Sequence, residues 1–413
     1  MMGLTILSTT AAALITLGVL EQRRHLKALG QIPIRIHVNG TRGKSSVTRL
    51  IAAGLRAGGI RTVAKTTGTL PRLIGPDGTE RPIERPGRAN VIEQIHIVAR
   101  AAEAGAEALV VECMALQPYL QWLSESRFIK ATHGVITNAR PDHLDVMGPS
   151  EIDVARALAG MVPTTAGATL YTAERDHIDV IAHACTDRGA RLVDIDASAL
   201  PQLAPEITTP LEGFPYLAHG DNVALALKIC VDLGVDPQVA LEGMWGVTPD
   251  PGATTVHTLE VDGRPVVFYN GFAANDPEST EALWRMALER HPDLDASVAL
   301  INCRADRHDR SRQLGEAIGR WPLADEVALM GSGTDLFARA AHHVGVPDAH
   351  VTHVEHLSAI ELVAHLLGRH TGGLLIVGMG NIGGLGLPVV DAFRALDPTL
   401  LASEPESPGE AAS

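Results

Sequence analysis

Ile32-Pro33-Ile34-Arg35-Ile36-His37-Val38-Asn39-Gly40-Thr41-Arg42-Gly43-Lys44-Ser45-Ser46 is the stretch that decides the fold. Residues 32–38 read as a short buried strand, and 39–46 as a glycine loop. A helical pattern follows, with Val47, Leu50, Ile51 and Leu55 on one face and Gly58-Gly59 as its stop. Strand, glycine loop and helix in that order are the context a phosphate loop requires. Backbone N–H groups of Gly40, Thr41, Arg42, Gly43 and Ser46 and the helix N-terminus can cradle phosphate oxygens. Lys44 can neutralise the terminal phosphates, and Ser45 can hold Mg²⁺. Val38 stands where the strict GxxxxGK[ST] pattern has its first glycine, so the context carries the reading.

Working outward, further buried strands are expected at 108–111, 134–137 and 168–171, with helices at 91–104 and 152–161. That alternation predicts an α/β domain with a mainly parallel sheet. The strand at 108–111 ends in Glu112, the carboxylate a phosphate loop needs for its metal. The next ends in Thr137-Asn138-Ala139-Arg140-Pro141-Asp142-His143-Leu144-Asp145, which brings imidazole and carboxylate to the same sheet edge. Between loop and Glu112 lies a basic run, Lys65, Arg72, Arg81, Arg85 and Arg88. It reads as a solvated loop or as a groove for anionic substrate, because guanidinium forks match carboxylates. A turn-rich 248–252 marks a boundary. Beyond it strands at 266–269, 298–301, 326–329 and 374–377 alternate with helices as a smaller α/β domain, and a disordered tail is expected from 397.

The 413 residues suit more than one domain, and 46% hydrophobic with 20% charged residues is a globular composition. The net charge of −14 excludes a general nucleic-acid binder. It is unevenly placed: residues 1–100 carry 15 Lys and Arg against 5 Asp and Glu, and the remainder 19 against 43. Four dispersed cysteines without a CxxC pair give neither a disulfide framework nor a zinc site. Residues 1–20 hold no charged side chain, and Arg23, Arg24 and Lys27 follow. This predicts one membrane span at the cell membrane, a juxtamembrane linker at 21–31, and domains 32–250 and 251–396 in the cytoplasm.

These residues resemble a known family. Gly40-Thr41 with Gly43-Lys44-Ser45-Ser46, the strand-ending Glu112 and Thr137-Asn138 with Asp142-His143-Leu144-Asp145 are similar to the ATP-dependent amide ligases of the Mur ligase superfamily. Further segments resemble the ligase subunit of poly-γ-glutamate synthases, the CapB/PgsB type of capsule protein. They include Glu21-Gln22-Arg23-Arg24-His25, Glu112-Cys113-Met114-Ala115, Asn270-Gly271-Phe272-Ala273-Ala274 and Asn302-Cys303-Arg304-Ala305-Asp306-Arg307. The resemblance implies a Mur-type central domain, a smaller C-terminal α/β domain, ATP on 40–46, and Mg²⁺ held by Ser45 and Glu112 with His143 on a second ion. It implies Asn138 and Asn222 as nucleotide contacts and Lys44, Lys65, Arg304 and Arg307 as catalytic cations. The implied reaction joins glutamates through γ-linkages by way of an acyl phosphate, with membrane-bound partner subunits.

The chain departs from the better-known Mur enzymes. They place a carbamoylated lysine on the helix after the His motif, but no lysine lies between Lys130 and Lys228, and Leu158 or a neighbour stands there. Gly378-Met379-Gly380-Asn381-Ile382-Gly383 matches a dinucleotide fingerprint, yet the second strand and acidic residue of such a site have no room before the tail. The alternatives are a folylpolyglutamate-type ligase, which an N-terminal anchor disfavours, and a membrane-anchored nucleotide switch, for which the Asn-Lys-x-Asp guanine motif is missing.

Overall fold

The computed structural model describes residues 2–68, 71–85, 87, 89–249, 253–274 and 276–396. Arg88, the boundary residues 250–252 and the tail expected from 397 lie outside the described residues. The chain divides into two compact units, Met1–Asp250 and Pro251–Ser413.

The first unit opens with α1 (Met2–Gln31). Its sheet contains β1 (Ile34–Asn39), β2 (Thr62–Thr66), β3 (Arg72–Ile74), β4 (Glu80–Pro82), β5 (Ala108–Glu112), β6 (His133–Ile136), β7 (Thr169–Thr172) and β8 (Arg191–Asp194). The spatial order is β4-β3-β2-β5-β1-β6-β7-β8. All neighbours from β2 to β8 pair in parallel, and β3 and β4 add an antiparallel edge. Parallel sheets need both faces covered, and the side-chain period of two sorts each strand accordingly. Val110 joins Ile36, Val38 and the apolar face of α2 (Lys44–Ala57) in one core. Leu109 and Val111 pack on the other face against Ile97, Val98 and Ala101 of α3 (Glu93–Glu103). Leu50, Ile51 and Leu55 are at most 2% exposed, a burial that contributes about 1.5–3 kcal/mol each and fixes α2 at the end of β1.

Two expectations are corrected here. The linker at 21–31 is a helix, continuous with the apolar segment, and its last turns are docked: Leu29 and the following Ile32 enter the core beneath α3. Residues 5–20 are exposed, and Thr5–Gln31 is long and apolar enough to cross a membrane. The basic run is not one solvated loop. Its first residue lies in β2, which is buried throughout, and Arg72 and Arg81 belong to the β3–β4 hairpin. Lys65 read as surface because of its charge, but an ion pair inside the fold neutralises it.

The second unit holds β9 (Thr255–Val261), β10 (Arg264–Asn270), β11 (Ala296–Cys303), β12 (Glu326–Gly331), β13 (Val351–His353) and β14 (Leu374–Gly380). The order is β13-β12-β11-β14-β10-β9, parallel except for the β9–β10 hairpin. Phe268, Val298, Ile376 and Phe393 belong to its core. The glycines after β14 make a tight turn in which Asn381 Nδ2 donates to Asn302 O at 3.0 Å. All four cysteines are buried free thiols.

Candidate active site

β1 delivers its chain to the loop at the carboxyl edge of the sheet, and two neighbouring strands hold it there. Gly40 has φ +132°, and a Cβ on it would lie 2.0 Å from Thr137 Oγ1. Gly43 has φ +81°, and a Cβ there would meet Asn222 Oδ1 at 2.6 Å. Both positions need left-handed backbone and close approach, which only glycine supplies. Thr41 N–H donates to Asn138 O at 3.0 Å, while the Thr41 hydroxyl (2.7 Å) and Arg42 N–H (3.1 Å) both donate to Asn138 Oδ1. Thr137 Oγ1 donates to Arg42 O at 2.5 Å. The Thr137-Asn138 pair, the latter expected as a nucleotide contact, therefore spends its polar atoms clamping the loop. Asn222, 8% exposed near the start of helix Gly220–Asp232, packs on Gly43.

The loop opens into α2 with no side-chain cap at Gly43, which leaves its first N–H groups for an anion. Lys44 Nζ folds back onto Gly40 O (2.6 Å) and Thr41 O (3.2 Å). Ser45 Oγ donates to Glu112 Oε2 at 2.8 Å, and the same oxygen accepts Thr67 N–H at 2.6 Å. Glu112 is 2% exposed. Lys44, Gly40, Thr41 and His143 line one cavity of about 120 Å³, together with Asp142 and Leu158. His143 has left-handed backbone (φ 47°), costly for a non-glycine residue, and so points its ring from a fixed turn. Leu158 is 1% exposed and puts hydrocarbon on this wall, where an ammonium group or carbamate is expected in the better-known Mur enzymes.

A hydroxyl and a buried carboxylate in contact at a phosphate loop are hard oxygen donors. They fit Mg²⁺, which takes one or two protein oxygens and completes its shell with phosphate and water. Among the described residues no group of three His, Cys, Asp or Glu side chains forms a metal cage.

Lys65, expected among the catalytic cations, stands behind the cavity. It is fully buried with Nζ 2.9 Å from Glu93 Oε1, and Arg85 Nε reaches Glu93 Oε2 at 2.6 Å. Burial pushes the Lys65 ammonium below its ordinary pKa against the pull of Glu93. Burial opposes ionisation of Glu93 too, but Arg85 and Lys65 hold it below the usual carboxylate range. Arg304 and Arg307 follow β11 in the second unit, where Arg304 is bound by Asp306 through Nε (3.0 Å) and Nη2 (2.7 Å).

Sequence reasoning missed the support behind the loop. Asn39 Nδ2 donates to Gln121 Oε1 at 2.7 Å, and His37 Nδ1 lies 2.7 Å from Glu125 Oε2, both partners on residues 118–129. The alternation Arg35, His37, Asn39 between Ile34, Ile36 and Val38 was the available signal. Burial lowers the His37 pKa, but the Cys113 thiol and Glu125 more than offset it and raise it from 6.5 to about 9. A raised folded-state pKa gives stability that is fully present below pH 6.5 and lost progressively as pH climbs to 9. The melting temperature of the wild type is therefore expected to fall over that interval more steeply than that of His37→Gln; parallel profiles would refute the ion pair.

The clamped phosphate loop, with Ser45 on Glu112 and His143 across the cavity, lies within residues 38–197, which the Mur ligase middle domain model matches, and the chain is an ATP-dependent ligase of the Mur type. The poly-gamma-glutamate synthase CapB C-terminal domain model matches 256–396. The chain is 34% identical over 391 residues to PGA synthase CapB of Bacillus subtilis, covering 94% of this chain and 97% of that one. It is 36% identical over 380 residues to the capsule biosynthesis protein CapB of Bacillus anthracis, covering 92% and 80%. The chain thus belongs to the CapB family of poly-γ-glutamate synthase proteins. The same fold occurs in Mycobacterium tuberculosis folylpolyglutamate synthase, solved with ADP, at TM-score 0.63 and 19% identity over 94% of this chain and 95% of that one.

Proposed function

We propose that this ligase polymerises glutamate through γ-linkages at a membrane, using ATP and Mg²⁺. The observation that carries the reading is the cavity joining Lys44 to His143 in a chain similar along nearly its whole length to a PGA synthase. The Thr41 and Arg42 N–H groups are taken by Asn138, so the N–H groups at the start of α2 and Lys44 would hold the phosphates, and Ser45 and Glu112 would hold the divalent ion, which would supply neutralisation of charge developing on phosphate oxygens. The terminal γ-carboxylate of a glutamate chain takes the γ-phosphoryl group, and ADP leaves. The amine of an incoming glutamate attacks the acyl carbon, phosphate departs with the bonding electrons, and the nitrogen loses a proton. Membrane-protein subunits are the expected partners, and the exposed apolar start of α1 is the expected anchor.

Folylpolyglutamate synthesis is the second reading, favoured only by fold. Membranes carrying the full chain are expected to release phosphate and build polymer with ATP, Mg²⁺ and glutamate. Turnover with folate, and none with glutamate alone, would overturn the proposal. Deletion of residues 1–20 should give a soluble ATPase with little or no polymerisation, checked by phosphate release beside polymer yield. Full synthesis by that fragment would remove the membrane from the reaction.

A further inference from the structure

Central strands of a parallel sheet covered on both faces ordinarily read as continuous apolar runs. β1 does not. Ile36 and Val38 enter the core shared with α2, and the opposite face carries Arg35, His37 and Asn39 in a row. A polar row inside a fold is tolerated only where each group is bonded. Here each side chain makes at least one bond to one continuous segment, the helix Pro118–Leu123 and the π-helical turn Ser124–Ile129 that extends it, His37 through Nδ1. Asn39, 3% exposed, donates to Gln121 Oε1 at 2.7 Å, and Gln121 Nε2 donates to Leu116 O at 2.8 Å on the cavity wall. His37, fully buried, meets Glu125 Oε2 at 2.7 Å, while Glu125 Oε1 accepts Ala131 N–H at 2.8 Å. Arg35 Nε donates to Ile129 O (3.2 Å) and Lys130 O (3.0 Å), and its Nη1 to Ile32 O (2.6 Å) and Leu29 O (3.4 Å), where α1 ends.

One row therefore runs from the docked end of α1 to the residue before Gly40. π-Helical turns cost hydrogen-bond geometry and concentrate at functional sites. Residues 121 and 125 reach alternate positions of the strand that carries the loop.

We propose that Gln121 and Glu125 are positioning residues for the phosphate loop, gripping Asn39 and His37 so that the end of β1 presents Gly40 to Lys44 for nucleotide, with Arg35 tying the base of α1 into the same row. The proposal rests on the nucleotide reading of that loop. Loop geometry governs nucleotide affinity, so the loss of a grip is read there even where stability is restored.

The test measures MgATP affinity and melting temperature on the full chain in detergent. Gln121→Leu keeps the volume and removes both bonds. It is expected to weaken MgATP binding about 10-fold and to lower the melting temperature, since Asn39 is left buried without its acceptor, while Gln121→Glu, which retains that acceptor, stays within about 3-fold of wild-type affinity. Asn39→Leu should weaken binding similarly, and the double variant no further while recovering melting temperature, since both remove one interaction and together leave no buried group unpaired. Wild-type affinity in Gln121→Leu, or losses that multiply in the double variant, would overturn the proposal. Should Gln121→Leu fail to fold, Glu125→Gln serves instead: weaker MgATP binding by the folded variant supports the grip, and wild-type affinity overturns it. A wild type that does not bind MgATP would sink the loop reading as well, whereas normal wild-type binding with an unaffected Gln121→Leu sinks this proposal alone.

Discussion

Lys44→Ala is expected to lower ATP turnover by at least about 100-fold while leaving the melting temperature nearly unchanged. The asymmetry follows from where the ammonium sits. Its protein contacts are two carbonyls of its own loop, Gly40 O and Thr41 O, and the loop is held independently by Thr137 and Asn138. Removing the side chain therefore leaves the clamp intact and takes away a cation from the cavity it shares with His143. A preorganised charge aimed at phosphoryl oxygens is worth about 3–4 kcal/mol in such sites. Steady-state phosphate release beside a thermal melt measures both halves. An active variant would take the loop out of the mechanism, and an inactive but unfolded one would contradict the clamp.

Glu112→Gln should produce the next largest loss, and of a different kind. The amide oxygen can still accept from Ser45 Oγ and Thr67 N–H, so the two bonds that organise the strand end survive. The negative charge does not survive. The concentration of Mg²⁺ needed for half-maximal turnover is expected to rise by about 10- to 100-fold, with a smaller change in the apparent KM for ATP at saturating metal. A Mg²⁺ titration of turnover makes the measurement. An unaltered metal requirement would remove Glu112 from the ion's surroundings and leave it as a bracket for Ser45 and Thr67.

How much of this was legible in the sequence depended on whether local pattern and tertiary role agreed. At β1, the loop and α2 they agreed, because apolar run, glycine turn and amphipathic helix leave few other folds open. Glu112 was legible for the same reason, since it ends a buried strand and parallel strands end at one edge, while His143 comes seven residues after β6 ends at Ile136 and lines the loop's cavity from a left-handed turn. At β2 the two disagreed. Lys65 inside Thr62–Thr66 breaks an apolar run, and only Glu93, far along the chain on α3, makes its burial tolerable. The roles of Asn138 and Gln121 were similarly hidden, since whether an amide faces ligand or backbone is settled by partners distant in sequence. The linker at 21–31 misled because charges after an apolar span suggest a break, whereas α1 keeps its hydrogen bonds and turns Leu29 inward.

That unbroken helix would make the proposed anchor a boom rather than a leash. With the apolar residues through Leu20 in lipid, the stretch to Gln31 spans about 16 Å at 1.5 Å per residue. A flexible connection would let the first unit sample every tilt and height. If the proposed anchor holds, a helix seated in the core of the first unit would keep the phosphate cavity at one height above the bilayer and confine its search for substrate to two dimensions. Orientational entropy that a flexibly tethered enzyme would lose at each encounter would then already be lost on folding.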